Sequence, residues 1–326
     1  MELNNKIILV TGGTGSFGQA FTKILLEKHS PKAVRIYSRG EHKQVEMERR
    51  FNDDRLRFFV GDVRDLNRLG RAMNGVDIVV HAAALKHVPV CEYNPNEAVR
   101  TNVKGAMNIV DAAIDNGVEK VVALSTDKAV QPLNLYGATK LVAEKIFIQA
   151  NAYSGPRKTK FACVRYGNVI GSNGSVVPLF IEQRKNGELT ITDEGMTRFW
   201  ITLEQGVELV IKCIREMEGG EIFVPRIPSV KVTDLADAIA PDAKKRIIGI
   251  RPGEKMHEML VSADEARHTK RKGEFYIIEP EFSFWSDVEH SRCEHLPDGF
   301  YYASDNNDVW LKGDELKGLL AKEGWL

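Results

Sequence analysis

The chain has few cysteines, no long apolar run and no net charge, and each shortage removes a class of protein. Four cysteines in 326 residues, Cys91, Cys163, Cys213 and Cys293, stand far apart without metal-ligand spacing. They read as free thiols packed as small apolar groups, so neither a disulfide frame nor a bound metal is expected. The 45 basic residues balance 45 acidic ones, which leaves the molecule as a whole without an electrostatic reason to seek nucleic acid or an anionic membrane. Any anion site must be local. The first apolar stretch, Ile7 to Val10, is too short for a signal-peptide core or a membrane span, and a cytoplasmic location is expected.

What is present is an ordinary folded composition, 43% hydrophobic and 28% charged, in a chain long enough for one large or two modest domains. Apolar runs bounded by turn residues recur at Lys6–Val10, Ala33–Tyr37, Leu56–Val60, Ile78–His81, Val121–Ser125 and Phe161–Tyr166. Between them lie amphipathic patterns such as Phe21, Ile24, Leu25 and Lys28, or Ala106, Ile109, Val110 and Ala113, whose period suits helices on both faces of a sheet. This alternation predicts an α/β fold with a doubly wound parallel sheet of the Rossmann type over residues 1–166. From 167 to 326 the texture turns to Gly, Asn, Pro and Ser-rich loops, which predicts a smaller substrate-facing region. Phe223–Pro225 is a candidate to rejoin the main sheet. The tail from Glu281, with Trp285, Tyr301, Tyr302 and Trp310, carries no readable chemical signature.

Directly after the first strand comes Thr11-Gly12-Gly13-Thr14-Gly15-Ser16-Phe17-Gly18, and a helical pattern follows. Strand, glycine turn and helix in that order suit a pyrophosphate, because glycine lets the backbone approach and the helix N-terminus offers unpaired N–H groups. The second strand ends in Tyr37-Ser38-Arg39, where an NAD-binding protein places an acidic side chain. Arg39, with Lys43 a helical turn later, would instead suit the 2′-phosphate of NADP. Glu41 keeps NAD open, and a solvated surface charge is the alternative for Arg39. Asp62 and Val63 follow the third strand, and Ala82, Ala83 and Ala84 follow the fourth. At successive strand ends these line the place where an open parallel sheet binds its ligand.

Tyr136-Gly137-Ala138-Thr139-Lys140 follows the fifth strand. On a helix Tyr136 and Lys140 share a face, so the ammonium is expected to lower the phenol pKa while also reaching a cofactor ribose. A tyrosine so eased can take a proton from a sugar hydroxyl as hydride leaves for a nicotinamide. With Gly12, Gly15 and Gly18 upstream, the set resembles the extended short-chain dehydrogenase/reductase family. That resemblance implies a partner hydroxyl at Thr126.

Next to Thr126 stand Asp127 and Lys128. Family members that only epimerise C4 need no such pair, whereas retaining dTDP-glucose 4,6-dehydratases carry Thr-Asp-Glu here. The triplet Thr-Asp-Lys therefore implies an acid/base pair with a changed base: neutral Lys128 removes the C5 proton and protonated Asp127 assists loss of the C6 hydroxyl. A base of that kind needs a depressed pKa, for which Lys140 is the candidate neighbouring cation. Asp127 needs the opposite shift.

Longer motifs narrow the resemblance. His81-Ala82-Ala83-Ala84-Leu85-Lys86-His87-Val88-Pro89, Ser125-Thr126-Asp127-Lys128-Ala129, Arg165-Tyr166-Gly167-Asn168-Val169, Thr197-Arg198-Phe199-Trp200 and Arg251-Pro252-Gly253-Glu254-Lys255 are similar to the inverting UDP-N-acetylglucosamine 4,6-dehydratases that open pseudaminic acid biosynthesis. The resemblance implies a tightly held, recycled NADP, UDP-N-acetylglucosamine as substrate and a homo-oligomer, either dimer or hexamer. It also implies that Asn168 meets the phosphates, Val177, Pro178 and Thr190 border uridine, and Glu254 meets a ribose hydroxyl. Arg198 and Arg251 are candidate clamps for the diphosphate, since guanidinium forks suit its oxygens, with a surface salt bridge as the alternative for either. Lys86 and His87 are candidates to face the hexose, the histidine having a structural role as its alternative. The rival readings are a UDP-sugar 4-epimerase or reductase on the same fold and a non-catalytic NADP-sensing protein.

Overall fold

Helices cover both faces of the central sheet, so its strands are apolar along their length instead of alternating. The computed structural model describes residues 2–155, 159–171, 175–282, 284–285 and 293–326. β1 (Ile7–Thr11), β2 (Ala33–Ser38), β3 (Leu56–Val60), β4 (Ile78–His81), β5 (Lys120–Leu124) and β6 (Lys160–Val164) are all present, with ends shifted from expectation by a residue or two. They run parallel in the order β3-β2-β1-β4-β5-β6. The order reverses between β1 and β4, which opens a crevice at their C-terminal ends.

The chain after residue 167 extends this sheet. Ile222–Pro225 joins β6 in parallel, and Phe275–Ile278, Thr269–Lys272 and Glu294–His295 add antiparallel strands to complete ten. A second core, built from Ile170, Phe180, Leu189, Ile191, Trp200, Leu235 and the helix Gly313–Lys322 through Leu316 and Leu320, lies beside the crevice. The tail that carries no sequence signature turns out to be structural. The Tyr302 hydroxyl donates to the Ile227 carbonyl and accepts from the Ile227 N–H, both at 2.9 Å. Trp325 packs so closely on Gly171 that a Cβ there would lie 2.1 Å from the indole. No helix among the described residues is long and apolar enough to cross a membrane.

Arg165, just past β6, is fully buried and forks in two directions. Its guanidinium donates to Glu144 at 3.0 and 2.7 Å, to Glu265 at 3.1 and 2.9 Å and to the Leu260 carbonyl at 2.9 Å. Three segments are thereby held in one register: the sheet, the helix Leu135–Tyr153 and the strand Met259–Val261 with the turn after it. Removing only the cation would strand the buried Glu144 carboxylate. Arg165→Met is expected to lower the unfolding free energy by about 3–5 kcal/mol in urea titrations; a loss below about 1 kcal/mol would mean the fork is dispensable.

Candidate active site

The glycine turn is shaped by contact as well as by flexibility. Gly12 has φ +66°, and a Cβ there would stand 2.9 Å from the Ala83 nitrogen; a Cβ on Gly18 would stand 2.5 Å from the Gly13 Cα. Small residues at Ala82, Ala83 and Ala84 let the chain pass this near. Gly15 caps the helix Ser16–Lys28 without a side-chain bond, so the first-turn N–H groups have no cap of their own. Above the turn lies a cleft of about 1390 Å³, and Gly12, Thr14, Gly15, Ser16, Phe17 and Gly18 form part of its wall. This cradle, which any side chain would fill, fits a dinucleotide pyrophosphate.

Farther along the same wall are Ser38, Arg39, Lys43, Asp62 and Val63. β2 ends without a carboxylate, and Arg39 is 59% exposed with its nearest anion, Asp62, 4.0 Å away. The Ser38 hydroxyl accepts from Gln44 at 3.0 Å. Asp62 is more committed than the sequence suggests. Its Oδ2 accepts from the Arg64 fork at 2.9 and 2.6 Å and its Oδ1 accepts the Arg64 N–H at 3.0 Å. Burial alone would raise this carboxyl, and the Arg64 bonds outweigh it and hold it below the usual range.

At the C-terminal end of β5 the chain makes a tight turn, Asp127–Ala129, and Thr126 caps it by accepting the Lys128 N–H at 3.3 Å. Asp127 is wholly buried. Its Oδ1 accepts from the Thr126 hydroxyl at 2.9 Å and from Lys128 Nζ at 3.0 Å. Tyr136 opens the helix Leu135–Tyr153, whose N-cap Asn134 accepts from the Gly137 N–H at 2.8 Å and donates to the Gly253 carbonyl at 2.9 Å. That capping bond also anchors the loop bearing Arg251 and Glu254. Gly137 sits against the turn: a Cβ there would lie 2.1 Å from the Lys128 carbonyl oxygen. Thr126, Lys128, Tyr136 and Lys140 all line the cleft, and Asp127 is bonded to two of them, Thr126 and Lys128, beneath its surface.

Two electrostatic expectations need correcting. Burial pushes the Tyr136 phenol up to about 12, and the cation that works against burial is Lys128, helped by a hydrogen bond shared with Thr126. Lys140 is occupied elsewhere, donating from Nζ to the Leu124 carbonyl at 2.6 Å, and burial lowers its pKa. Lys128, expected to be depressed, is instead raised: burial opposes its charge, but Asp127 and then Glu258 more than offset that. Lys128 Nζ stands 3.1 Å from Glu258 Oε1. Glu258 is the site residue that sequence reasoning missed; the only hint was its nearness to the Arg251–Lys255 motif.

The remaining expected residues lie mostly where a nucleotide sugar would extend. Lys86, His87, Asn168, Pro178, Thr190, Arg198, Arg251 and Glu254 line the cleft. Val177 does not: its side chain is 1% exposed inside the second core, and Val176 takes the cleft-facing place. Arg198 is buried and directed by bonds to the Thr197 and Met256 carbonyls at 2.7 and 3.1 Å. Arg251 is half exposed, 3.9 Å from Glu254. The buried Glu254 Oε2, Glu258 Oε2, Ser125 Oγ and Ser175 Oγ on this wall lack hydrogen-bond partners among the described residues. Buried polar atoms are seldom left unpaired, so their clustering here points to a polar ligand. Among the described residues no group of His, Cys, Asp or Glu is arranged to hold a metal ion.

Residues 8–280 match the family model described as polysaccharide biosynthesis protein. The chain belongs to this family. One relative, the UDP-N-acetylglucosamine 4,6-dehydratase (inverting) of Campylobacter jejuni, is 52% identical over 96% of either chain. Another family relative, from Rickettsia massiliae and named UDP-glucose 4-epimerase, is 45% identical over 84% of this chain and 83% of its own. Among solved structures, Pen from Bacillus thuringiensis superposes with a TM-score of 0.92 at 38% identity over the full length of both chains. DesIV of Streptomyces venezuelae, a dTDP-glucose 4,6-dehydratase with NAD and TYD bound, gives 0.68 at 25% identity over 77% of this chain and 86% of its own.

His81, at the end of β4, is buried with Nδ1 2.7 Å from the Thr11 hydroxyl, and burial followed by the Lys140 charge lowers its pKa to about 3. The folded state thus leaves this imidazole neutral while the unfolded chain protonates below 6.5, so acid destabilises the fold. Between pH 6.5 and about pH 5 the cost is roughly 2 kcal/mol. His81→Asn is expected to flatten the stability-versus-pH curve by that amount; unchanged slopes in both proteins would refute the assignment.

Proposed function

We propose that this protein is a C5-inverting UDP-N-acetylglucosamine 4,6-dehydratase that forms UDP-2-acetamido-2,6-dideoxy-β-L-arabino-hexos-4-ulose. The observation that carries the reading is the convergence of Asp127, Lys128 and Tyr136 at one strand end, with Lys128 Nζ 3.0 Å from Asp127 and on the same cleft wall as the phenol. A 4-epimerase, the name borne by the Rickettsia relative, transfers no proton at C5 and has no use for that pair. The proposal includes NADP as cofactor, a homo-oligomer and a cytoplasmic setting. For NADP over NAD, the support is the absence of a carboxylate at the end of β2 and the availability of Arg39 and Lys43.

When bound, the nicotinamide supplies the acceptor, and later the donor, of one hydride. Tyr136 Oη, in its phenolate form, accepts the proton of the C4 hydroxyl, and the Lys128 charge and the Thr126 hydrogen bond favour that form against burial. A ketone at C4 acidifies C5. Lys128 Nζ takes the C5 proton, and the C5–H electron pair becomes the C5–C6 double bond as the C6–O bond breaks. The departing oxygen takes a proton from Asp127 and leaves as water.

The resting ion pair is not yet in the form this requires. Moving one proton from Lys128 Nζ to Asp127 across 3.0 Å yields a neutral amine and a carboxylic acid without changing net charge. Water favours the ion pair and a dry pocket favours the neutral one, so a sugar filling the cleft shifts the balance toward the reactive form. Arg198 and Arg251 are assigned to the diphosphate, Asn168 to its oxygens, and Pro178 and Thr190 to uridine. The unpartnered Glu254 oxygen is assigned to a ribose hydroxyl, and Lys86 and His87 to the hexose.

Proton NMR of the protein with UDP-N-acetylglucosamine in heavy water, without added cofactor, is expected to show a new C6 methyl signal and deuterium at C5. A product that keeps its C6 hydroxyl would defeat the reading and favour the epimerase. Separately, Arg39→Ala is expected to weaken NADP binding about tenfold or more while leaving NAD nearly unaffected, since a charge-assisted bond contributes roughly 1.5–3 kcal/mol. Equal losses for both cofactors, in titrations of cofactor-stripped protein, would remove Arg39 from the 2′-phosphate.

A further inference from the structure

Glu258 is an expensive residue to place where it is. The residue is 2% exposed at the edge of the cleft, and its Oε2 has no hydrogen-bond partner among the described residues. Its backbone is fixed from both sides: the Glu258 N–H donates to Ser304 Oγ at 2.9 Å, and the Ser304 N–H returns a bond to the Glu258 carbonyl at 2.8 Å. Ser304 Oγ is in turn 2.7 Å from Thr197 Oγ1, and the strand Met259–Val261 pairs with Tyr302–Ala303. A carboxylate buried this way gives up hydration without gaining packing, so stability alone does not account for it.

What it does face is Lys128. A lysine side chain carries its charge on a flexible stem, and one carboxylate on the adjacent residue cannot fix where Nζ points. Asp127 holds Nζ from one side at 3.0 Å, and Glu258 holds it from a different element at 3.1 Å. Arg198, with Nε 4.0 Å from Glu258 Oε1, balances the second negative charge. We propose that Glu258 is a positioning residue for the elimination step, clamping Lys128 Nζ between two carboxylates so that the amine meets C5 in register with Asp127. The assignment rests on the dehydratase reading and adds a component that neither the Tyr136–Lys140 pair nor the Thr126–Lys128 turn supplies. The charged contacts of Glu258 are Lys128 and Arg198, so its direct effect falls on the elimination pair and reaches Tyr136 only through Lys128.

Glu258→Gln keeps the shape and removes the charge. With UDP-N-acetylglucosamine and the cofactor-loaded protein, kcat for the 4-keto-6-deoxy product is expected to fall about 10²-fold, the scale of a misplaced catalytic group. KM is expected to stay within about twofold. Because oxidation proceeds while elimination stalls, reduced nicotinamide should accumulate and be visible by its near-ultraviolet absorbance. Glu258→Asp, which retains the charge one methylene farther back, is expected to recover part of the rate. Wild-type turnover in Glu258→Gln without reduced cofactor would overturn the proposal. So would equal loss of oxidation and elimination in both variants at a native melting temperature. If Glu258→Gln does not fold, Glu258→Asp decides alone: accumulation supports the clamp, and wild-type kinetics reject it. Failure of the dehydratase reading shows differently, as a wild-type protein that makes no methyl-bearing product.

Discussion

The buried fork of Arg165 is the joint on which the site geometry depends. Its planar guanidinium can satisfy Glu144 and Glu265 together only if the helix bearing Tyr136 and the strand Met259–Val261, which follows Glu258, keep fixed positions relative to β6. Taking one cation and two carboxylates out of water is costly, and an apolar replacement of equal volume would often be as stable. The return is registry. Residues from the middle and the end of the chain are brought to within hydrogen-bond distance of each other across the mouth of a parallel sheet.

Within that frame the site is organised by competition between burial and neighbouring charge. Burial opposes ionisation of Tyr136 and of Lys140, and the charges that work against it, Lys128 for the phenol and Glu144 for the ammonium, do not reverse it. Lys128 is held by two carboxylates, and it alone of the three goes the other way. Around the reacting end of the cleft, charge gathers in one compact cluster of Asp127, Lys128 and Glu258 with Arg198 beside it. Oxygens on Ser125, Glu254 and Glu258 leave hydrogen-bonding capacity that the described residues do not use.

Much of this arrangement was legible from the amino acids because it is local. Apolar runs of a few residues located the strands, and the glycine turn, the alanines after β4 and the Thr126–Lys128 turn each lie beside the strand end that presents them. Long-range facts were not legible. Part of the upward Lys128 shift comes from Glu258, which stands beside the pairing of Met259–Val261 with Tyr302–Ala303, and no periodicity announces that pairing. The family resemblance sets Val177 beside uridine, yet which of two adjacent valines faces the cleft is decided by how the helix Val176–Arg184 rolls onto the second core. Aromatics of the tail, such as Tyr302, act by holding backbone in place, a role without a sequence pattern.

The contact between Gly137 and the Lys128 carbonyl ties two halves of the chemistry into one piece of backbone. The helix that presents the oxidising tyrosine rests on the turn that presents the eliminating pair, with no room for even a methyl group between them. Drift in either would displace the other. A descendant of this scaffold that abandons dehydration for simple inversion at C4 is therefore expected to exchange side chains at positions 127 and 128 while keeping the path of the main chain, so that two activities could diverge on a common backbone and remain hard to tell apart by shape.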